Sequence, residues 1–292
     1  MARGSKMRPL TCEGPGVPLC GVCLSRPAGW IPHWGQLWTD ICGDPPMWLI
    51  GEKFVTYRMA VEGDLSIVKM EDYPVPGREN ARVYREYLAF RLASRIGLPV
   101  PPTRLRQDPH YGRMSIQQYV HGATMPDPLW LERMATSALG MRLALFDLLC
   151  GNHDRKPDNL LQLGTTMIPI DFNTAFQHTT TGGDFDGETD IMLGRWFRIR
   201  GILSLMPVHR GWLLGEAKQM RERLDDAFIH ACLAEIPTPF CDLAEAAPVQ
   251  AFLGARRDRL HASVSTWWDN TVAPLHGFDG EALAMVIREH LR

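Results

Sequence analysis

No apolar run in this 292-residue chain is long enough to span a bilayer, and its first residues lack the apolar core of a secretory signal. Neither sign of charge dominates. Against 31 Lys and Arg stand 33 Asp and Glu, a formal net charge of -2, which gives no general electrostatic reason to bind nucleic acid. No strongly basic segment is present to hold an anionic membrane. Beyond residue 46 cysteine is sparse: Cys150, Cys232 and Cys241 stand apart without a pairing pattern, which suits a reducing compartment, and the cytoplasm is the expected location. What the chain does have is 45% hydrophobic content, enough to bury a large core.

The most informative stretch is Asn152-His153-Asp154-Arg155-Lys156-Pro157-Asp158-Asn159-Leu160-Leu161, followed by Ile170-Asp171-Phe172-Asn173. An Asp and an Asn five residues apart fit one tight loop, and a second Asp at the end of a short strand, Met167 to Ile170, can join them. Transfer of a terminal phosphoryl needs a carboxylate near the attacking hydroxyl and oxygen ligands that hold Mg²⁺ against the phosphates. Asp154, Asn159 and Asp171 have the chemistry for both tasks.

Asp154-Arg-Lys-Pro-Asp-Asn159-Leu-Leu resembles the D-x-K-P-x-N-L-L catalytic loop of eukaryotic-type protein kinases, and Asp171-Phe-Asn resembles their D-F-G. Gly151-Asn-His-Asp154-Arg155 is also similar to the start of the loop in atypical kinases, the HipA-like, phosphatidylinositol 3-/4-kinase-like and actin-fragmin-kinase-like group. Lys156 stands where that group usually carries a His, so the subfamily stays open.

Upstream, Leu65-Ser66-Ile67-Val68-Lys69-Met70 is a β-branched strand resembling the V-A-I-K strand of kinases. Glu86 follows within an amphipathic helix predicted over Ala81 to Ile96, with Tyr84, Leu88, Leu92 and Ile96 on one face and Val83, Tyr87 and Phe90 on an adjoining one. Lys69 and Glu86 match the strand-lysine and helix-glutamate pair of kinases, and Arg85 to Pro102 resembles the corresponding helix and exit turn of HipA-like proteins. Ser115 to Gly122 is a strand entering a glycine turn and looks like a kinase hinge. The resemblance implies adenine contacts there, with backbone groups around Gln118, Tyr119 and Val120. Trp130 to Cys150 is apolar on most of its circumference and is expected as a buried helix beneath the catalytic loop.

Two departures favour the atypical branch. No G-x-G-x-x-G precedes Lys69, and no A-P-E follows Asp171. Gly63 and Asp64 read as a hairpin turn ahead of the Lys69 strand, and Lys53 and Thr56 as plain strand residues rather than phosphate contacts. Helices are expected over Leu213 to Ala234 and Ala251 to Trp268. Asp184 to Asp190 alternates acidic residues around a glycine but lacks the distal Glu of a calcium loop, so it reads as a flexible solvated loop. Thr179 to Thr181 beside it are candidate phosphate acceptors. Phe252 to Leu260 resembles the helical C-terminal part of HipA-like kinases, and the likeness as a whole covers about residues 47 to 270.

The first 46 residues are rich in Pro, Gly, Cys and Trp and read as a loosely ordered extension with free thiols. Cys20-Gly-Val-Cys23 has the gap of a zinc knuckle, and Zn²⁺ held by Cys12, Cys20, Cys23 and Cys42 is the alternative.

The resemblance therefore implies an α+β, two-lobed protein-kinase-like fold: an extension over 1–46, a small N-terminal antiparallel-sheet lobe with one main helix over 47–122, and a larger helical C-terminal lobe over 123–292. It implies ATP and Mg²⁺ as cofactors. Asp154 would take the acceptor's proton, and Lys156 would neutralise charge on the transferred group. Asn159 and Asp171 would hold Mg²⁺, and Lys69 would reach the inner phosphates with Glu86 aiming it. Arg155 would act in catalysis or brace its neighbours. The acceptor is read as a protein Ser/Thr hydroxyl, with a small-molecule or inositol-lipid alcohol as the alternative and a non-catalytic nucleotide-binding module as the third reading.

Overall fold

Alternation of period two organises the first part of the chain. In the computed structural model the described residues are 54–61, 64–74, 82–108, 112–177 and 185–277. They fall into two compact units, the first comprising the described residues up to Phe90 with Pro101–His121 and Ile236–Asp242, and the second the remainder.

In the first unit β1 (Phe54–Val61), β2 (Asp64–Pro74), β3 (Thr103–Asp108) and β4 (Gly112–Gln118) form one antiparallel sheet of order β1-β2-β4-β3. Along β2, Ser66, Val68 and Met70 are buried while Leu65, Ile67 and Lys69 are half-buried, the two faces of a pleated strand. Val61 pairs with Asp64, so β1 and β2 form the expected hairpin, and Thr56 is a buried strand residue opposite Lys69.

Helix α1 (Tyr84–Arg95) begins at a carboxylate supplied by the sheet. Glu71 accepts the Val83 N–H at 2.8 Å, Arg82 Nη1 at 2.9 Å and Arg113 Nη1 at 2.7 Å. A buried anion stays charged only with such donors, and at a helix N-terminus it also meets the favourable end of the helix dipole. The expected face of Tyr84, Leu88, Leu92 and Ile96 is fully buried, together with Glu86, whereas Tyr87 and Phe90 are half-buried.

The second unit is helical: α2 (Pro128–Ala135), α3 (Ala138–Cys150), α4 (Phe185–Ser204), α5 (Pro207–Arg223), α6 (Asp226–Ala234) and α7 (Leu243–Trp267), with a short hairpin of β5 (Leu160–Leu163) and β6 (Thr166–Pro169). Helix α3 is buried from Met141 to Cys150 apart from Arg142 and packs against α4, α5 and α7. Three sequence expectations change here. The single helix expected over Trp130 to Cys150 is two, because Ser137 caps a new start by accepting the Gly140 N–H at 3.1 Å. Gly140 lies so close to the end of α2 that a Cβ would stand 1.9 Å from the Met134 carbonyl oxygen. The helix expected over Leu213 to Ala234 is likewise two, since Asp225 caps α6 through the Phe228 N–H at 2.7 Å. The expected loop over Asp184 to Asp190 is, from Phe185 onward, the first turns of α4. Its acidic residues Asp186 and Glu188 sit at the positive end of the helix dipole rather than in a flexible loop.

The cysteines of the N-terminal extension, Lys53 and Thr179 to Thr181 lie outside the described residues. No helix among the described residues is long and apolar enough to cross a membrane.

Candidate active site

In the first unit the candidate residues meet as a pair. Lys69 Nζ lies 2.5 Å from Glu86 Oε1, joining β2 to α1, and the Lys69 and Glu86 side chains are only 12% and 2% exposed. An ammonium and a carboxylate withdrawn from water to this extent hold each other firmly, because losing one would leave the other buried without its counter-charge. At the end of β4 the Gln118 N–H donates to the Pro102 carbonyl at 2.9 Å and the Tyr119 N–H to the Leu65 carbonyl at 3.0 Å. Two of the three hinge-like N–H groups are thus engaged in the sheet, which leaves Val120 N–H as the next donor along the segment.

In the second unit a hairpin does the assembling. Asn159 precedes β5 and Asp171 follows β6, so the antiparallel pairing that sets Leu160 opposite Pro169 returns the chain to its starting point. The Ile170 N–H closes the open end on the Asn159 carbonyl at 3.0 Å. Asn159 is buried, and its Nδ2 donates to the Asp154 backbone carbonyl at 2.7 Å, so its Oδ1 is the atom left to accept or to coordinate. Asp154 and Asp171 are half-buried, and Lys156 is exposed. Asp171 has φ 59° and Phe176, at the end of the same turn, φ 60°. A left-handed backbone costs a non-glycine residue of the order of 1–3 kcal/mol, and such strain persists where surrounding structure imposes it, often at functional sites.

Arg155 supplies that imposition. Its Nε and Nη2 grip the Asp147 carboxylate at 2.8 and 3.0 Å, while Nη1 donates to the Asn159 carbonyl at 2.8 Å and the Ile170 carbonyl at 2.7 Å. The guanidinium also lies over the Phe172 ring, 4.6 Å from its centroid. One side chain therefore fixes the loop, both ends of the hairpin and the residue after Asp171. This is the bracing geometry of the two roles considered for it.

Several residues without an assigned role in the sequence hold this arrangement. Asp147, buried in α3, also accepts Asn152 Nδ2 at 2.7 Å, and Asn152 Oδ1 accepts the Thr174 hydroxyl at 2.6 Å. The Phe176 N–H reaches the Cys150 carbonyl at 2.8 Å. A lone carboxylate in an otherwise apolar helix was the available signal, since a buried charge requires a partner. Gly151, at φ 62°, ends α3 where a Cβ would come within 3.1 Å of Phe252 Cζ, so the exit into the loop needs glycine. Arg256 of α7 lies over the Phe185 and Phe252 rings, donates to the Leu148 carbonyl at 2.5 Å and pairs with Glu188. His153 Nε2 meets the other oxygen of Glu188 at 2.7 Å.

Burial pushes the Glu188 carboxyl up, but hydrogen bonds and charge from His153 and Arg256 overcome this and hold it at about 2. An unfolded glutamate titrates near 4.5, so the folded form gains stability that is complete above about pH 5 and is lost as pH falls towards 2. Solvent screening of this half-buried group keeps the gain below about 3 kcal/mol. Glu188→Gln is therefore expected to lower the thermal midpoint at neutral pH, and the gap from the parent to close as pH falls through that window. Thermal melts of both forms at a series of pH values check this. The Cys150 thiol is pushed well above its usual range by burial, reinforced by Asp147, and is thereby kept out of thiolate chemistry.

No family model and no curated protein matches the chain. Solved structures do. The Helicobacter pylori proinflammatory kinase CtkA aligns with a TM-score of 0.53 at 15% identity, over 76% of this chain and 95% of its own. HipA of Shewanella oneidensis MR-1, solved with HipB and operator DNA, aligns over 78% of this chain and 68% of its own at 13% identity, and its TM-score of 0.48 is too low to bear weight. With a small antiparallel sheet and seven α-helices among the described residues, the chain has a mixed α/β fold similar to that of the kinase CtkA.

Proposed function

We propose that the chain is an ATP- and Mg²⁺-dependent phosphotransferase of the HipA-like kinase type, acting on protein Ser/Thr hydroxyls. The observation that carries the reading is the hairpin closure, which joins the Asp154 loop, Asn159 and a conformationally strained Asp171 under one buried guanidinium.

The donor set fits the metal. Mg²⁺ takes hard oxygen ligands, commonly one or two from protein with the rest from phosphates and water. Asn159 Oδ1 and the Asp171 carboxylate are such ligands, and a bound Mg²⁺ would neutralise phosphate charge. Asp154 would accept the proton of the attacking hydroxyl as the new oxygen–phosphorus bond forms and the bond from the terminal phosphorus to the bridging oxygen breaks, with ADP leaving. Lys156, exposed on the same loop, would stabilise charge on the transferred group. Lys69, aimed by Glu86, would hold the inner phosphates. Arg155 positions these groups without touching the reacting atoms. Little covalent work falls to the protein, so most of the acceleration comes from position and electrostatics.

Incubation with labelled ATP and Mg²⁺, alone and with cell lysate, tests the reading by the destination of the label. Phosphoserine or phosphothreonine on protein supports it. Label on a metabolite or an inositol lipid would replace the acceptor class, and no turnover above background would remove the activity.

A further inference from the structure

A cavity of about 720 Å³ lies within the second unit, walled by α2, α3, α4 and the loop carrying Asp154. His153 and Arg155, on either side of Asp154, line it together with Lys156. The wall is otherwise mostly apolar, including Leu131, Ala144, Met167, Met192 and Trp196. Its size lies in the range of about 300–1,000 Å³ typical of ligand pockets, which combine apolar walls with a few polar groups.

The apolar surface does not stop at the cavity mouth. Helix α2, Pro128–Ala135, has no buried residue although most of its side chains are apolar; Leu129 is 62% exposed and the preceding Met125 55%. A small molecule enclosed by the cavity would leave this surface bare, whereas a polypeptide would cover both. The charge on the wall is net positive, although Glu132 of α2 also lines it. Asp147 is neutralised by Arg155 and His153 faces Glu188, while Lys156 and Arg195 form no ion pair among the described residues.

From this we infer that the cavity seats bulky apolar side chains of a protein acceptor, beside an acidic residue drawn to Arg195, with Lys156 left to the transferred group. The inference deepens the phosphotransferase reading and rests on it for calling the bound segment an acceptor. The binding itself stands on the cavity, the exposed apolar side chains of Met125 and Leu129 beside it, and Arg195, which forms no ion pair among the described residues. A peptide held there lies against the loop that bears the proposed base, so the seat would select which hydroxyl is presented.

Gly194 gives a clean probe. It lines the cavity from α4, and a Cβ built on it meets nothing within 4 Å. Gly194→Leu should place its side chain at the cavity wall with no clash at Cβ and favour the helix. The experiment is nucleotide-free binding of the full chain to an array of short peptides, each with a central Ser and varied flanking residues. Peptides with Phe, Leu or Met near an Asp or Glu are expected to bind. Truncating the apolar residue to Ala, or introducing Gly194→Leu, should weaken binding about tenfold, the scale of one lost anchor contact. Arg195→Glu should remove the preference for the acidic residue, and neither variant should lower the thermal midpoint. An array without apolar preference, or unchanged binding by Gly194→Leu, overturns the inference, as does capture of small apolar alcohols in place of peptides. Selective peptide binding by a chain that turns over no ATP would sink the phosphotransferase reading and leave this seat standing.

Discussion

Arg155→Ala is expected to lower the free energy of unfolding by about 3–5 kcal/mol and to abolish phosphotransfer. Removing one member of a buried ion pair leaves the other charged and unsolvated, and effects of this size are usual when that happens. Here the Arg155 and Asp147 side chains are 5% and 4% exposed, and the same guanidinium serves the carbonyls of Asn159 and Ile170. Four donated hydrogen bonds and the stacking on Phe172 disappear together. Arg155→Lys should recover little, since an ammonium cannot make the two-pronged grip on Asp147 and still reach both carbonyls. Denaturant unfolding curves check the stability, and labelled-ATP assays the rate. A rate loss with stability within a few tenths of a kcal/mol would show instead that Arg155 touches the reacting groups and braces nothing.

Asp171→Gly separates function from fold in the opposite sense. Glycine adopts φ 59° without steric cost, so the substitution relieves backbone strain while adding freedom to the unfolded chain. The two effects oppose each other, and stability is expected to stay within about 1 kcal/mol of the parent. Phosphotransfer should nevertheless fall by about 10³ or more, the scale of losing one group from a preorganised charged site. Asp171→Asn tolerates the same backbone but carries no charge, and should sit between the two in rate. Thermal melts and initial rates of the three forms test this. If Asp171→Gly unfolded several kcal/mol more easily with its rate intact, Asp171 would be a structural residue.

These two residues also show what was readable beforehand. The spacing of Asp154, Asn159 and Asp171 and the sequence distance from Lys69 to Glu86 are local patterns with a chemical reason, and the structure brings Asn159 against the Asp154 backbone and Lys69 against Glu86. The β1–β2 hairpin was legible from the Gly63-Asp64 turn signal and the strand pattern, and the buried face of α1 from its periodicity. The partners of Arg155 and Glu188 were not. Asp147, Arg256 and Thr174 reach the site through tertiary contacts from α3, from α7 and from the turn after Asp171, and hydrophobic patterning carries no record of which distant side chains meet. The breaks at Ser137 and Asp225 were missed because apolar periodicity ran through them, while the side-chain caps that end one helix and start another are single-residue events. The acidic run that opens α4 reads as a loop for a related reason: acidic residues enrich both loops and the first turns of helices.

The most direct test of the account is the rate of phosphoryl transfer from Mg-ATP to protein hydroxyls by the parent chain and by Asp154→Asn, with thermal midpoints measured in parallel. The account predicts transfer by the parent, a fall of about 10²–10⁴ in the variant as expected for loss of a general base, and little change in midpoint. Equal rates in the two forms, or none in either, would contradict it.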